Sequence, residues 1–217
     1  MGIFITLEGI DGSGKTTVSN ILKERLMKDG YKITSIKEPT ETSLGKLIRK
    51  EVLGSGSAEL ACNTMAALFL FSADRAVHID EIKEKLKYSD IIICDRFIDS
   101  TYAYQAAGLN NSMEDIKLKD FILKVNEFIL EQKKFSIDRT YLFDLKPEIA
   151  LSRLSGRADK IDAFDSLPSV FFKSVRNNYL LLYEKYRNRI KMIDASMSPE
   201  DMAENIEADI LKILEKN

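Results

Sequence analysis

An apolar run, Ile3-Phe4-Ile5-Thr6-Leu7, is followed at once by the segment Glu8-Gly9-Ile10-Asp11-Gly12-Ser13-Gly14-Lys15-Thr16-Thr17. After it, Val18, Ile21, Leu22 and Leu26 recur at helical spacing until Gly30 closes the helix. Gly9 and Gly14, with Lys15 and Thr16 directly behind, satisfy the G-x-x-x-x-G-K-[ST] spacing of a phosphate-binding loop. Glycines there let the backbone curl until several N–H groups point at one anion, and a helix N-terminus adds its dipole. Lys15 is expected to reach the β and γ phosphates of a nucleotide, and the Thr16 hydroxyl to ligate magnesium. A strand, a tight loop and a helix in immediate succession leave little choice of architecture.

The rest of the chain agrees. Strand-like runs at residues 3–7, 31–37, 90–94, 140–144 and 190–194 alternate with helical stretches, the pattern of an α/β fold with a parallel sheet covered on both faces. The 217 residues favour one domain spanning the whole chain. No repeat or low-complexity tract divides it; Gly54-Ser55-Gly56-Ser57 reads as a flexible turn between helices. Ser198-Pro199-Glu200-Asp201 reads as the capped start of the last helix. The run Met65-Ala66-Ala67-Leu68-Phe69-Leu70-Phe71 is nonpolar all round. It therefore predicts burial on both sides, under another layer or a sister subunit, and a homodimer through this helix is expected.

Composition excludes several roles. With 32 Lys and Arg against 34 Asp and Glu, the net charge of −2 offers no basic surface for nucleic acid or a membrane. Cys62 and Cys94 lie far apart without metal-ligand spacing; they suit a reducing cytoplasm and read as inert buried thiols. His78 has no partner cluster in the sequence. No apolar run approaches the ~20 residues of a membrane span, and no basic region followed by an apolar stretch suggests a signal peptide. The start Met1–Thr6 matches a myristoylation pattern, but residues 3–7 belong to the strand that delivers the loop. Asn110-Asn111-Ser112 is a formal glycosylation sequon without meaning in a cytoplasmic protein.

The second informative stretch is Asp90-Ile-Ile-Ile-Cys94-Asp95-Arg96-Phe97-Ile-Asp-Ser100-Thr101-Tyr-Ala-Tyr104-Gln105. An apolar strand that ends in Asp95 can place a second magnesium-site carboxylate beside the phosphate loop. Arg96 follows directly, and the pair could equally be a structural salt bridge.

Five segments in order, "GIDGSGKTT", "EPTETSLGKLIR", "LFLFSADR", "DRFIDSTYAYQ" and "YLFDLKPEIALSR", resemble the thymidylate kinase family across nearly the whole chain. The resemblance implies a P-loop kinase with a five-stranded parallel sheet and a short lid, one that phosphorylates dTMP with ATP and magnesium. It implies that residues Gly9 to Thr17 hold ATP, among them Ile10, Gly12, Ser13 and Thr17, with Thr16 and Asp95 at the metal. Asp11 is similar to the acid that binds the nucleotide 3′-hydroxyl and organises the magnesium waters. Glu38, Arg49 and Arg96 correspond to acceptor-site residues, the two arginines as clamps on the dTMP phosphate. Phe71 and Arg75 resemble a base-reading pair, one stacking on thymine and one donating to its O4. Tyr104 resembles the tyrosine that crowds the ribose 2′ position, and Ser100, Thr101 and Gln105 line the same pocket. The lid falls on residues 152–166, with Arg153, Arg157 and Lys160 as candidate catalytic charges beside Lys15, Asp11 and Arg96.

Three positions depart from the family pattern. "DRF" stands where "DRY" is frequent, "EPTETS" lacks the paired glycines common after "EP", and Gly12 occupies a loop position where one subgroup carries a basic residue. The lid is then expected to supply that charge. ATP and a nucleotide monophosphate bring about six negative charges together, and phosphoryl transfer is helped mainly by positioning and electrostatics. A phosphate monoester has its second pKa near 6, so the acceptor oxygen is mostly ionised at neutral pH and needs no base. The absence of a Ser-His or Cys-His constellation is consistent with this. A deoxynucleoside kinase would typically carry a tryptophan after "EP" and "DRS"; the sequence has no tryptophan. A GTP-dependent switch would need an N-K-x-D motif, which does not occur.

Overall fold

A computed structural model describes residues 2–54, 63–110, 112–155 and 169–215. The five apolar runs form strands β1 (Ile3–Glu8), β2 (Ile33–Lys37), β3 (Ile91–Asp95), β4 (Arg139–Asp144) and β5 (Ile190–Asp194). All pairings are parallel, in the order β2-β3-β1-β4-β5. The helices among the described residues are α1 (Lys15–Lys28), α2 (Ser43–Ile48), α3 (Thr64–Lys85), α4 (Ile98–Gln105), α5 (Met113–Gln132), α6 (Pro147–Ser155), α7 (Ser169–Lys185) and α8 (Pro199–Leu214). Ser55 to Ser57 of the expected turn, Cys62, Asn111, and the lid from residue 156 onward, with Arg157 and Lys160, lie outside the described residues.

Continuous apolar sequence in β1 and β3 has a physical cause: both strands are covered on both faces. Ile3, Ile5 and Leu7 of β1 face a cluster with Leu22, Leu26, Phe172 and Ile206. Phe4 points the opposite way, into a second cluster with Ile79, Ile82, Ile92 and Phe97, as the two-residue period of a strand requires. Phe4 has no exposed surface and meets the Phe97 ring at a centroid distance of 5.1 Å. Truncating it to alanine would cost about 3–5 kcal/mol.

The register positions the chemistry. Leu7 of β1 and Lys37 of β2 both pair with Asp95 of β3, so three strands end at one level. The segments that follow them, at Glu8, Glu38 and Arg96, are thereby gathered at the carboxyl edge. That edge, at the crevice where connections leave β1 and β3 in opposite directions, is where open α/β sheets bind ligands.

Local signals set the helix ends as expected. Gly30 takes a positive φ of 92° after α1, and the Ser198 side chain accepts from Asp201 N at 3.1 Å to cap α8. The α3 expectation is met on one side. Ala67 and Leu68 are buried, whereas Met65 and Phe69 remain 36% and 51% exposed, so among the described residues one apolar side of the helix is left open. α2 runs into a π-helical turn, Arg49–Leu53, a widening frequent at functional sites.

Candidate active site

The loop between β1 and α1 closes because Gly9 and Gly12 hold φ of 142° and 78°, a region that side chains resist. A Cβ on Gly12 would also lie 2.7 Å from the Ala150 carbonyl of α6. The backbone at this position is thus packed against α6, which leaves no room for a side chain there. Arg153, one turn further along α6, instead donates to the Ala195 carbonyl at 3.1 Å and approaches the Gly12 carbonyl at 3.5 Å.

Lys15 is 6% exposed, and its Nζ donates to the carbonyls of Gly9 and Ile10 at 3.1 and 3.0 Å. Burial, together with repulsion from Arg96, lowers its pKa to about 8 against the opposing pull of Asp95, Asp11 and Glu8. A phosphate arriving at the loop offers the anionic partner that two neutral carbonyls do not.

Thr16 Oγ1 donates to Asp95 Oδ2 at 3.0 Å, while Asp95 Oδ1 is buried with no hydrogen-bond partner among the described residues. A hydroxyl beside an orphaned carboxylate oxygen is a hard-oxygen donor set, and magnesium generally takes one or two protein oxygens and keeps waters and phosphates for the rest. No cluster of three or more His, Cys, Asp or Glu suited to a metal occurs among the described residues. The Thr16–Asp95 pair therefore fits magnesium. The Asp95–Arg96 salt bridge that the sequence left open does not form among the described residues, because the Arg96 guanidinium turns to Asp11.

Arg96 follows β3 with a positive φ of 70°, uncommon for a side chain of this size and a frequent mark of functional sites. Its Nη2 donates to Asp11 Oδ1 at 2.5 Å and to the Tyr104 hydroxyl at 3.0 Å. Tyr104 in turn donates to Asp11 Oδ2 at 2.8 Å. Burial pushes the Asp11 carboxyl up, but the charges of Arg96 and Lys15 with the Tyr104 and Arg96 hydrogen bonds outweigh it and hold the pKa at about 2. Nη1 donates to the Gly9 carbonyl, Ser100 Oγ and the Tyr179 hydroxyl. Beneath them sits Glu8, fully buried, accepting from Phe97 N at 2.7 Å, Ser100 Oγ at 2.5 Å and Tyr179 Oη at 2.9 Å. Burial, then Asp99, raises its pKa despite those donors. Arg96 thus bridges a carboxylate at the cleft and a carboxylate in the core.

The cleft itself has a volume of ≈ 210 Å³ and is lined by Asp11, Glu38, Arg49, Phe71, Arg75, Arg96, Ser100, Thr101, Tyr104 and Gln105, among others. Every acceptor-site residue named from the sequence therefore borders one space. At its inner end Arg75 donates from Nε and Nη2 to Glu38 Oε2 at 2.9 and 2.7 Å. His78 Nδ1 lies 3.1 Å from Glu38 Oε1, Arg75 Nη1 reaches Asn126 Oδ1 at 3.2 Å, and the guanidinium lies 5.1 Å from the Phe97 ring centre. Phe97 explains the "DRF" departure, because its ring is sealed in the apolar cluster with Phe4.

The loop without paired glycines is held by threonines. Asp74 of α3 accepts from Thr40 N at 2.8 Å, Thr40 Oγ1 at 2.6 Å and Thr42 Oγ1 at 3.3 Å. Thr42 also caps α2 by accepting from Gly45 N, and so fixes the short helix that leads to Arg49. Arg49 Nη2 donates to the Pro39 carbonyl, and its Nε is buried without a partner among the described residues.

Sequence reasoning left out Glu8, Asp74, His78, Asn126 and Tyr179. A signal existed for Asn126 and Tyr179, since each interrupts the apolar stripe of its helix, next to Ile122 on α5 and between Val175 and Leu182 on α7. A polar group in such a stripe needs a buried partner.

A family model described as thymidylate kinase matches residues 7–206. The chain is 36% identical over 213 residues to a thymidylate kinase of Acholeplasma laidlawii, covering 98% of this chain and all of the relative. It is 38% identical to that of Aster yellows witches'-broom phytoplasma, over 98% of this chain and 99% of the relative. The thymidylate kinase of Exiguobacterium sibiricum is 34% identical, over 99% and 97% respectively.

Proposed function

The chain belongs to the thymidylate kinase family, and from that membership we propose how its residues divide the reaction. It phosphorylates dTMP with ATP as donor, in nucleotide biosynthesis. The observation that carries the assignment of roles is a pair of adjoining pockets that share Asp11, Asp95 and Arg96 as a common wall, one at the Lys15 loop and the other lined by the buried Arg75 guanidinium.

Residues Gly9 to Thr17 cradle the ATP phosphates, and Lys15 exchanges its carbonyl partners for phosphate oxygens. Thr16 and Asp95 would hold magnesium, which when bound supplies charge neutralisation on the donor phosphates. Arg49 and Arg96 hold the acceptor phosphate in line, with Asp11 orienting Arg96 and receiving the 3′-hydroxyl. Phe71 stacks on the base, Arg75 donates to O4, Tyr104 closes the 2′ side of the ribose, and Thr101, Gln105 and Ser100 complete the wall. The acceptor oxygen attacks already ionised, so positioning and charge are what the protein contributes. Arg157 and Lys160 of the lid supply the charge that Gly12 does not, and Arg153 braces the loop from α6. If so, the Arg157→Ala plus Lys160→Ala variant loses kcat far more than it raises the dTMP KM; unchanged kcat would remove them from the mechanism.

The protein acts as a cytoplasmic homodimer, paired through the open apolar side of α3. The exposed Phe69 beside Phe121 of α5, 6.3 Å between ring centres, supports this face. No helix among the described residues is long and apolar enough to cross a membrane. Sedimentation of Phe69→Glu at dilute concentration tests it: a variant that stays as dimeric as wild type rules this face out.

The decisive assay is ADP release with dTMP, dUMP, dCMP and thymidine. A guanidinium only donates, and cytosine offers an amino donor where thymine has a carbonyl. dCMP should therefore fall below dTMP by about 10⁴ to 10⁵ in kcat/KM, and dUMP by about 1–3 kcal/mol for the missing methyl. Thymidine should be inactive for want of the phosphate. Preference for dCMP, or turnover of thymidine, would overturn these roles.

A further inference from the structure

Arg75 carries five N–H groups, and three are engaged on the protein side. Nε and one Nη2 hydrogen both go to the same oxygen, Glu38 Oε2, while Glu38 Oε1 faces His78. A guanidinium held at one oxygen can still pivot about it. The second anchor is Asn126, whose Oδ1 accepts from Nη1 at 3.2 Å. Asn126 cannot flip, because its Nδ2 donates to the Ile98 carbonyl at 3.0 Å. Exchanging its oxygen and nitrogen would set two donors together at Arg75 and two acceptors together at Ile98. Asn126 is 3% exposed, comes from α5, and is absent from the cleft wall.

We propose that Asn126 is a positioning residue for base selection: with Glu38 it fixes the rotation of the Arg75 guanidinium so that one free N–H on each Nη faces the pyrimidine 4-position. The proposal rests on Arg75 being the donor to the base. It differs from that reading in assigning discrimination to a side chain that does not touch the nucleotide. Two fixed N–H groups converge on a carbonyl oxygen and oppose an amino group; a pivoting guanidinium can turn aside and spare the wrong base the clash.

The test measures kcat/KM for dTMP, dUMP and dCMP in wild type, Asn126→Ala, Asn126→Asp and Arg75→Ala, with thermal melting alongside. Asn126→Ala should lower the dTMP to dCMP ratio by about tenfold, the lower range for losing a residue that orients a binding group. The dTMP to dUMP ratio should stay unchanged, since both bases present O4; a generally loosened pocket would move both ratios. Asn126→Asp keeps the acceptor for Nη1 but sets an oxygen against Ile98, so it should melt lower while keeping the dTMP to dCMP ratio near wild type. It remains informative if the alanine variant fails to fold, because loss of the ratio in the aspartate variant counts against the proposal. An unchanged ratio in Asn126→Ala, with the ratio collapsed in Arg75→Ala, overturns the role of Asn126 and leaves Arg75 as the reader. An unchanged ratio in Arg75→Ala overturns the reading of Arg75 itself.

Discussion

Arg75 and Arg49 line the same cleft and are built in opposite ways. The Arg75 side chain is 2% exposed and tied to Glu38, Asn126 and the Phe97 ring. The Arg49 side chain is 32% exposed, bonds one backbone carbonyl, lies 3.5 Å from the exposed carboxylate of Glu41, and leaves Nε unpartnered among the described residues. The same contrast separates the inner end from the Lys15 loop. At the inner end three N–H groups of Arg75 are tied to Glu38 and Asn126; at the loop, Asp95 Oδ1 has no partner among the described residues and Lys15 has only neutral carbonyls, whereas Arg96 is paired with Asp11. A neutral base is told from another by the direction of its donors and acceptors, so its reader must be fixed beforehand. A phosphate is recognised by charge, so its binders need charge to offer: Lys15 bonds only carbonyls and the Glu41 partner of Arg49 is exposed, while Arg96 has to share its charge with Asp11.

The largest effect should come from breaking the saturated end. Glu38→Gln strands the buried Arg75 charge, and breaking such a pair costs about 3–5 kcal/mol of folding stability. Urea unfolding measures this; a loss below about 1 kcal/mol, the scale of an exposed ion pair, would mean the inner end is not the rigid one. Next comes Lys15→Ala, with kcat lower by at least two orders of magnitude, about 3 kcal/mol of transition-state stabilisation, and a fold left intact. Near-normal turnover would take the loop out of the chemistry.

Arg49→Ala should raise the dTMP KM by about 2 kcal/mol in binding terms, the scale of hydrogen bonds to a charged group, with little change in melting temperature. If it melts as poorly as Glu38→Gln, the two arginines are not built differently.

The smallest effect is a pH dependence. The Lys15 pKa is about 8 in the folded chain against 10.5 for an unperturbed lysine, so above pH 8 the ammonium that meets phosphate is progressively lost. The kcat/KM for ATP should then fall about tenfold per pH unit, which is ~1.4 kcal/mol. Stability has the opposite sign: between pH 8 and 10.5 the unfolded chain holds the proton more tightly, so relative to Lys15→Ala the wild type gains stability as pH rises. A kcat/KM flat to pH 9.5 contradicts the lowered pKa.

Much of the site was legible, and unevenly so. The loop was read residue by residue because its partners are neighbours in sequence. Phe71 and Arg75 were paired by the family resemblance, and four residues apart on α3 they share one face. That Arg75 would be sealed against Glu38 was not legible, since 37 residues and a crossover separate them. The threonine latch on Asp74 was hidden in the same way, and the missing glycines of "EPTETS" looked like an open question until Thr40 and Thr42 were seen to hold the loop. Arg96 was read as a phosphate clamp, but its second anchor runs through Ser100 and Tyr179 to Glu8.

What sequence alone determined is whatever depends on short-range periodicity and local sterics: the five strands, the capped helices, the glycine loop, and the residue types able to meet phosphate, metal and base. Those follow from backbone geometry within a few residues. The tertiary structure decided which charges are matched and which are left free. That depends on the order β2-β3-β1-β4-β5 and on the register that ends three strands together at Asp95, because only this packing sets Glu8 beneath Arg96 and Asn126 behind Arg75. Hydrogen bonds reach about 3 Å, and no spacing along the chain specifies a distance that small between residues 51 or 171 positions apart.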